Sequence, residues 1–155
     1  MPDVPGFGPM EAAIFEIRQA GQSFTCKERR AAVTIINDCE NAAYFVRLDH
    51  GFFKDGASCD YSGSTTVGNE VQGFLLELKG SHEKDAFRQL ENTLERLCAN
   101  ASVTVHYHTA ILVPSGASLM PSAQFQKHQR HFLKQRHVRL CRLSNGSRKK
   151  LSVLL

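Results

Sequence analysis

Phe74-Leu75-Leu76-Glu77-Leu78-Lys79-Gly80 is the stretch on which the fold turns. In an extended strand, successive side chains point to opposite faces. Phe74, Leu76 and Leu78 then share one face and point into a core. Leu75, Glu77 and Lys79 share the other, which sets a carboxylate and an ammonium side by side on a rigid element. Ser81 is a good N-cap for a helix running to about Cys98. Ala86, Phe87, Leu90, Leu94 and Leu97 recur along it at helical spacing.

Moving upstream, Ala43–Leu48 and Arg30–Asn37 are rich in strand-forming residues and read as two strands. Asp38-Cys39-Glu40-Asn41 between them is a turn. Asp49-His50-Gly51 and Lys54-Asp55-Gly56 mark turns around Phe52 and Phe53. Cys59-Asp60-Tyr61 opens a further strand, and Ser62–Asn69 reads as a Ser/Thr/Gly loop. Met10–Ala20 carries Ala13, Ile14 and Ile17 on one side, which predicts a short helix closed by Gly21. Residues 1–9, with three prolines by position 9, read as a frayed tail.

Downstream, Val103–Val113 reads as a strand stopped by Pro114. Pro121 starts a helix to about Arg136, Val138–Leu143 is a last short strand, and Asn145-Gly146 is a turn. Strands and helices in this order predict an α/β fold, a central mixed sheet flanked by helices, in a single domain over 10–155. At 155 residues, with 42% hydrophobic content, the chain is long enough to bury a core of its own.

Composition narrows the functional classes. No apolar run is long enough to span a bilayer, and the N-terminus lacks the basic start and apolar stretch of a secretory signal, so a cytoplasmic protein with no membrane partner is expected. The five cysteines form no CxxC pair, which argues against a zinc module or a disulfide framework. Gly6-Phe7-Gly8 is not a phosphate-binding loop. His106 and His108 share a strand face, but nothing brings the further ligands a zinc site needs, and ordinary polar histidines are the simpler reading.

The candidate chemistry lies in Asp60, Glu77 and Lys79. Two carboxylates make a hard-oxygen site of the kind Mg²⁺ takes, completed by waters and phosphate oxygens, with Mn²⁺ as a possible substitute. Such an ion polarises a phosphate and activates water. Lys79 would orient that water or stabilise charge on the phosphate. The plainer alternative is a surface ion pair between Glu77 and Lys79 on an exposed strand.

Cys59-Asp60-Tyr61, then Glu77-Leu78-Lys79-Gly80, then Ala86 and Gln89-Leu90-Glu91-Asn92-Thr93, resembles the PD-(D/E)XK, or restriction-endonuclease-like, nuclease superfamily. The likeness is to small bacterial members with a "CDY…ELKG…A..QL..T" pattern. It covers Asp49 to Leu97, about a third of the chain, and includes the turn around Asp49-His50-Gly51. It implies an αβββαβ core and a Mg²⁺-dependent nuclease acting on DNA, with RNA a further candidate and defence or repair as settings. It also implies metal binding by Asp60 and Glu77, a catalytic role for Lys79, and Gln89 facing the site. Cys59 stands where the motif's proline would be. Many relatives add an acid from an early helix; Glu11, Glu16 and Glu28 are candidates here. Such nucleases often act as homodimers or in larger defence complexes, and some members bind without cutting. A non-catalytic module contacting nucleic acid or an acidic protein is therefore the alternative.

The charge pattern points toward a polyanion. The net charge is +4, and all 15 acidic residues precede position 101. Lys127, Arg130, Lys134 and His137 recur at spacings that form one stripe on a helix, with Phe125 and Phe132 turned to the core. Such a stripe can follow a phosphate backbone. Arg148, Lys149 and Lys150 either add phosphate contacts or form a flexible tail.

Overall fold

A computed structural model describes residues 1–79, 83–115 and 120–155; the side chain of Lys79 also lies outside the described set. In chain order the elements are β1 (Asp3–Val4), β2 (Gly8–Pro9), a 3₁₀ turn (Ala12–Ile14), β3 (Phe15–Arg18), β4 (Ser23–Glu28), β5 (Ala31–Ile36), β6 (Ala43–Arg47), β7 (Tyr61–Val67) and β8 (Glu70–Lys79). Then follow α1 (Glu83–Ala99), β9 (His106–Pro114), α2 (Ser122–Arg136), β10 (Arg139–Arg142), β11 (Arg148–Lys150) and a 3₁₀ turn (Leu151–Leu154).

A six-stranded mixed sheet of order β10-β9-β8-β7-β6-β3 forms the centre. Its β3-β6-β7-β8 half is antiparallel, while β8, β9 and β10 run parallel. α1 joins β8 to β9 and α2 joins β9 to β10, as parallel neighbours require a crossover. A second sheet of order β11-β5-β4 covers the face away from the helices.

Both faces of the central sheet are therefore buried. Phe74, Leu76 and Leu78 pack with Ile111, Val113, Cys26, Val33 and Ile35 between the two sheets. Leu75, Ala110 and Leu112 pack on the other side with Ala86, Leu90, Leu94 and Phe132 of the helices. This explains why β8 and β9 carry nearly continuous apolar runs, the signature of strands covered on both sides. Within that setting Glu77, only 3% exposed, is an anomaly.

The local periodicities of β5, β6, β8, α1 and α2 match the sequence expectations closely. The Ser81 cap lies outside the described residues. Several other expectations are corrected. Residues 3–10 are not a frayed tail: β1 pairs with β2, and Val4, Phe7 and Met10 are buried against the helix-side core. Met10–Ala20 is not a helix but a 3₁₀ turn followed by β3, whose Phe15–Arg18 pair with Val46–Ala43 at the sheet edge. Pairing to an existing strand satisfies backbone groups that a short, marginal helix would have had to satisfy alone. The first helix of the expected αβββαβ order is therefore absent.

Ser62–Asn69 is not a loop; Tyr61–Val67 form β7 between β6 and β8. Two of its polar side chains find partners: Ser62 Oγ lies 2.7 Å from the Tyr107 hydroxyl, and Thr65 donates to the Ala42 carbonyl at 2.9 Å. Nor is 148–150 a flexible tail, since it pairs with Thr34–Ile36 as β11. Among the described residues no helix is long and apolar enough to cross a membrane.

The acidic and basic parts of the sequence meet within the fold. Arg136 of α2 pairs with Glu91 and Glu95 of α1, and His131 lies 2.7 Å from Glu91. Buried Glu83 at the start of α1 pairs with Arg142 of β10 at 3.2 Å and accepts from the Met120 amide. Part of the charge asymmetry read as a polyanion signal thus serves helix–helix and helix–strand packing.

Candidate metal centre

Asp60 stands one residue before β7 and is held by the ladder on both sides. Its amide donates to the Leu76 carbonyl at 3.0 Å, and its own carbonyl accepts from Leu48 at 2.9 Å. The Leu78 amide donates to Asp60 Oδ2 at 2.7 Å, which points the side chain toward the end of β8. There the Glu77 side chain stands close enough to the Asp60 carboxyl to lower its pKa against the effect of burial. Asp60 is 5% exposed and Glu77 3%. Glu77 is therefore buried within the strand rather than exposed at the surface.

Burial is the main force raising the Asp60 pKa; the hydrogen bonds from Glu77 and Leu78 oppose it, and the charges of Glu28 and Asp49 add to it. The thiol of Cys59, fully enclosed beside the pair, is pushed up first by burial and then by Glu77 and Asp60. Cys26, on the far face of the sheet, also feels Asp60 after its own burial. The surroundings are thus apolar and negatively charged, with Arg47 as a nearby cation. Arg47 donates to the Tyr61 hydroxyl at 2.9 Å and to Glu28 at 3.3 Å.

Of the three early acids, Glu28 at the end of β4 is the one whose charge acts on Asp60. Glu11 precedes the 3₁₀ turn and is exposed, and Glu16 is exposed on β3 and paired with Arg18. Sequence reading missed β4, though Phe24 and Cys26 alternating with Thr25 and Lys27 carried its signal. It also gave Asp49 no role of its own. Asp49 follows β6 in an irregular turn where His50 takes a left-handed φ of 55°. Burial raises its pKa, and its buried Oδ1 has no hydrogen-bond donor among the described residues, His50 Nε2 lying 3.8 Å away.

α1 is locked to this segment. Thr93 Oγ1 accepts from the Cys59 amide at 2.8 Å and donates to the Gln89 carbonyl at 2.6 Å. Arg96 binds Asp55 through both carboxylate oxygens, at 2.9 and 3.1 Å, and reaches the Ser58 hydroxyl at 2.9 Å. Gln89 lies one turn before Thr93, and its buried Oε1 has no hydrogen-bond donor among the described residues. Lys79 closes β8 two positions after Glu77; its side chain is outside the described set.

The donor set fits a hard divalent cation: two buried carboxyl groups close together are of the kind that Mg²⁺ pairs with waters and phosphate oxygens. Among the described residues no group of three His, Cys, Asp or Glu is arranged to hold a metal, so the protein ligands would be Asp60 and Glu77 alone.

The nucleic-acid set proposed from sequence is divided by the fold. Lys127, Arg130 and Lys134 are exposed on α2. Arg148, Lys149 and Lys150 are exposed on β11, in the sheet on the opposite face. A single phosphate backbone track along all six is not formed. His106 and His108 are exposed on β9.

The Asp60 environment carries a pH prediction. With its pKa raised, Asp60 binds a proton more readily folded than unfolded. Its contribution to stability is full below the unfolded value, about 3.9, and is lost as pH rises through the raised folded value. Asp60→Asn keeps an acceptor for the Leu78 amide but cannot ionise. In metal-free buffer it is expected to raise Tm at pH 7, with the gain shrinking toward pH 4. A lower Tm at pH 7 would count against a strained, buried carboxylate.

Searches for related proteins return no matching family model, no matching curated protein and no matching solved structure.

Proposed function

We propose that the chain is a metal-dependent nuclease with a restriction-endonuclease-like core, acting on DNA, with RNA as a further candidate substrate. The observation that carries this reading is the closely placed pair of buried carboxyls, Asp60 just before β7 and Glu77 on the neighbouring β8. Buried acids without a function are costly, because burial penalises their charge and proximity penalises it again. The connectivity supports the same reading. An antiparallel β6-β7-β8 meander leads through α1 to β9, parallel to β8. The acid sits at the start of the middle strand and Glu-x-Lys at the end of the third.

A bound Mg²⁺ or Mn²⁺ would supply Lewis-acid polarisation of the phosphate and a water of lowered pKa. The chain's own groups do the rest. The Leu78 amide fixes Asp60 Oδ2, so that carboxylate is presented without rearrangement. Glu77 is held by β8 between β7 and β9. Thr93 and Arg96 clamp the segment leading into Asp60 against α1. Gln89, one turn before Thr93, offers a carbonyl oxygen that has no hydrogen-bond donor among the described residues. Lys79 is assigned the nucleophile: it orients the water and stabilises charge growing on the phosphate.

A second reading, a non-catalytic nucleic-acid or protein-binding module, is favoured by one observation: no third ligand joins the pair among the described residues. The two are separated by incubating the protein with linear duplex, circular duplex and single-stranded DNA and with RNA, in Mg²⁺ or Mn²⁺. Thermal unfolding is followed in the same buffers. Cleavage together with a metal-dependent rise in Tm supports the nuclease. Neither effect in either metal selects the binding module.

A further inference from the structure

A groove of about 690 Å³ runs between α1 and α2. It takes Lys84, Phe87 and Arg88 from one helix and Lys127, His128 and Phe132 from the other. Lys84, Arg88 and Glu91 lie on the α2 side of α1, whereas Ala86, Leu90 and Thr93 of the same helix are buried. The groove is therefore a place distinct from the Asp60–Glu77 pair.

Its floor is an aromatic stack. The His128 imidazole lies over the buried Phe87 ring with centroids 4.0 Å apart and planes at 23°. His128 is half-buried and lines the groove, so a flat ring is offered to an occupant. Burial, and then the neighbouring His131, lower its pKa.

The walls are cationic. Lys84 and Lys127 form no ion pair among the described residues, and Arg88 has only Asp85 at 3.8 Å. Among the described lining residues the acid is Glu91, which is ion-paired with Arg136 at 3.6 Å and lies 2.7 Å from His131 Nε2. Beyond Lys127 the exposed Arg130 and Lys134 continue the positive surface along α2. A planar aromatic floor with cations on both walls suits a ligand that alternates flat apolar rings with negative charges. An acidic helix would meet the charge but has no use for the planar ring.

We propose that the α1–α2 groove binds single-stranded nucleic acid, with a base stacked on His128 and phosphates held by Lys84, Arg88 and Lys127. This does not depend on the protein cutting DNA. The groove supplies a single-strand grip that duplex, with its bases paired, cannot use.

The test is fluorescence anisotropy with a labelled oligothymidylate and a blunt duplex of equal length, in EDTA so that no metal-dependent step occurs. Wild type is expected to bind the single strand more tightly. His128→Ala should weaken single-strand binding by roughly fivefold or more, while His128→Phe, which keeps a ring, should retain it. The exposed pair Lys84→Glu and Lys127→Glu should weaken binding and flatten the salt dependence by roughly 0.7 in slope for each phosphate no longer neutralised. Glu77→Gln should bind as wild type does. The proposal is overturned if His128→Ala binds normally, if duplex is preferred, or if polyglutamate displaces the oligonucleotide at equal charge. The last result would identify an acidic protein segment as the occupant. Loss of cleavage with intact binding, or the reverse, separates this site from the carboxylate pair.

Discussion

Glu77→Gln is expected to lower phosphodiester cleavage by on the order of 10²–10³-fold while leaving the chain folded. The substitution keeps the side chain's size within β8 and removes one of two buried carboxyls. What it takes away is the anionic oxygen that, with Asp60, would hold a divalent cation. Loss of a single electrostatic stabiliser in an active site commonly costs this much. The structural cost is small, because an amide can still donate to the Asp60 carboxylate. Two measurements decide it: single-turnover cleavage of labelled DNA, and Tm with and without Mn²⁺. At a hundredfold excess over its Kd a metal stabilises the fold by about 2.7 kcal/mol, which for a chain of this size is roughly 5–11 °C. Wild type should show that rise and Glu77→Gln should not. Undiminished cleavage by the variant would remove the carboxylate pair from the mechanism. Lys79→Ala should also lose cleavage yet keep the metal-dependent rise, which separates metal binding from handling of the water.

Phe74→Ala is expected to destabilise the fold by about 3–5 kcal/mol, a drop of roughly 6–20 °C in Tm. Phe74 is fully buried between the two sheets, with Phe45, Leu76 and Ile111 in the same cluster. Its ring also lies directly on Gly63 of the paired strand. A Cβ built on Gly63 would stand 2.4 Å from Phe74 Cζ. The two residues form a lock, a large ring filling the space that only a glycine leaves. Gly63→Val should therefore destabilise by overpacking, about 1–3 kcal/mol. The check is the urea midpoint of each variant. A loss of under about 1 kcal/mol for Phe74→Ala would mean that the second sheet does not cover this face as described.

The same strand illustrates what could be read in advance. Alternation over Phe74–Lys79 separated a core face from a face carrying Glu77, and both statements hold in the structure. What alternation could not say is that Leu75 and Glu77 would also be covered, since that depends on α1 packing above them. The polar run Ser62–Thr66 looked like a loop because its residues lack apolar content. It becomes a strand because β6 and β8 supply hydrogen bonds on both sides. Ala13, Ile14 and Ile17 gave Met10–Ala20 a helical look, yet pairing with β6 at the sheet edge made its second half β3.

The amino-acid sequence by itself determined the elements whose pattern is local and strong: β5, β6, β8 and the two long helices, with the apolar stripe of α1 and the inward Phe125 and Phe132 of α2. It also named Asp60, Glu77 and Gln89 as candidates for a site. Tertiary structure alone decided that residues 3–10 join the core, that Glu28 and Asp49 act on Asp60, and that Arg136 and Arg142 answer acids on α1. It also set Arg148–Lys150 on the face opposite Lys127. The physical reason is range. Periodicity records which way a side chain points along its own element, but burial, charge pairing and carboxylate convergence depend on what another element brings from far along the chain.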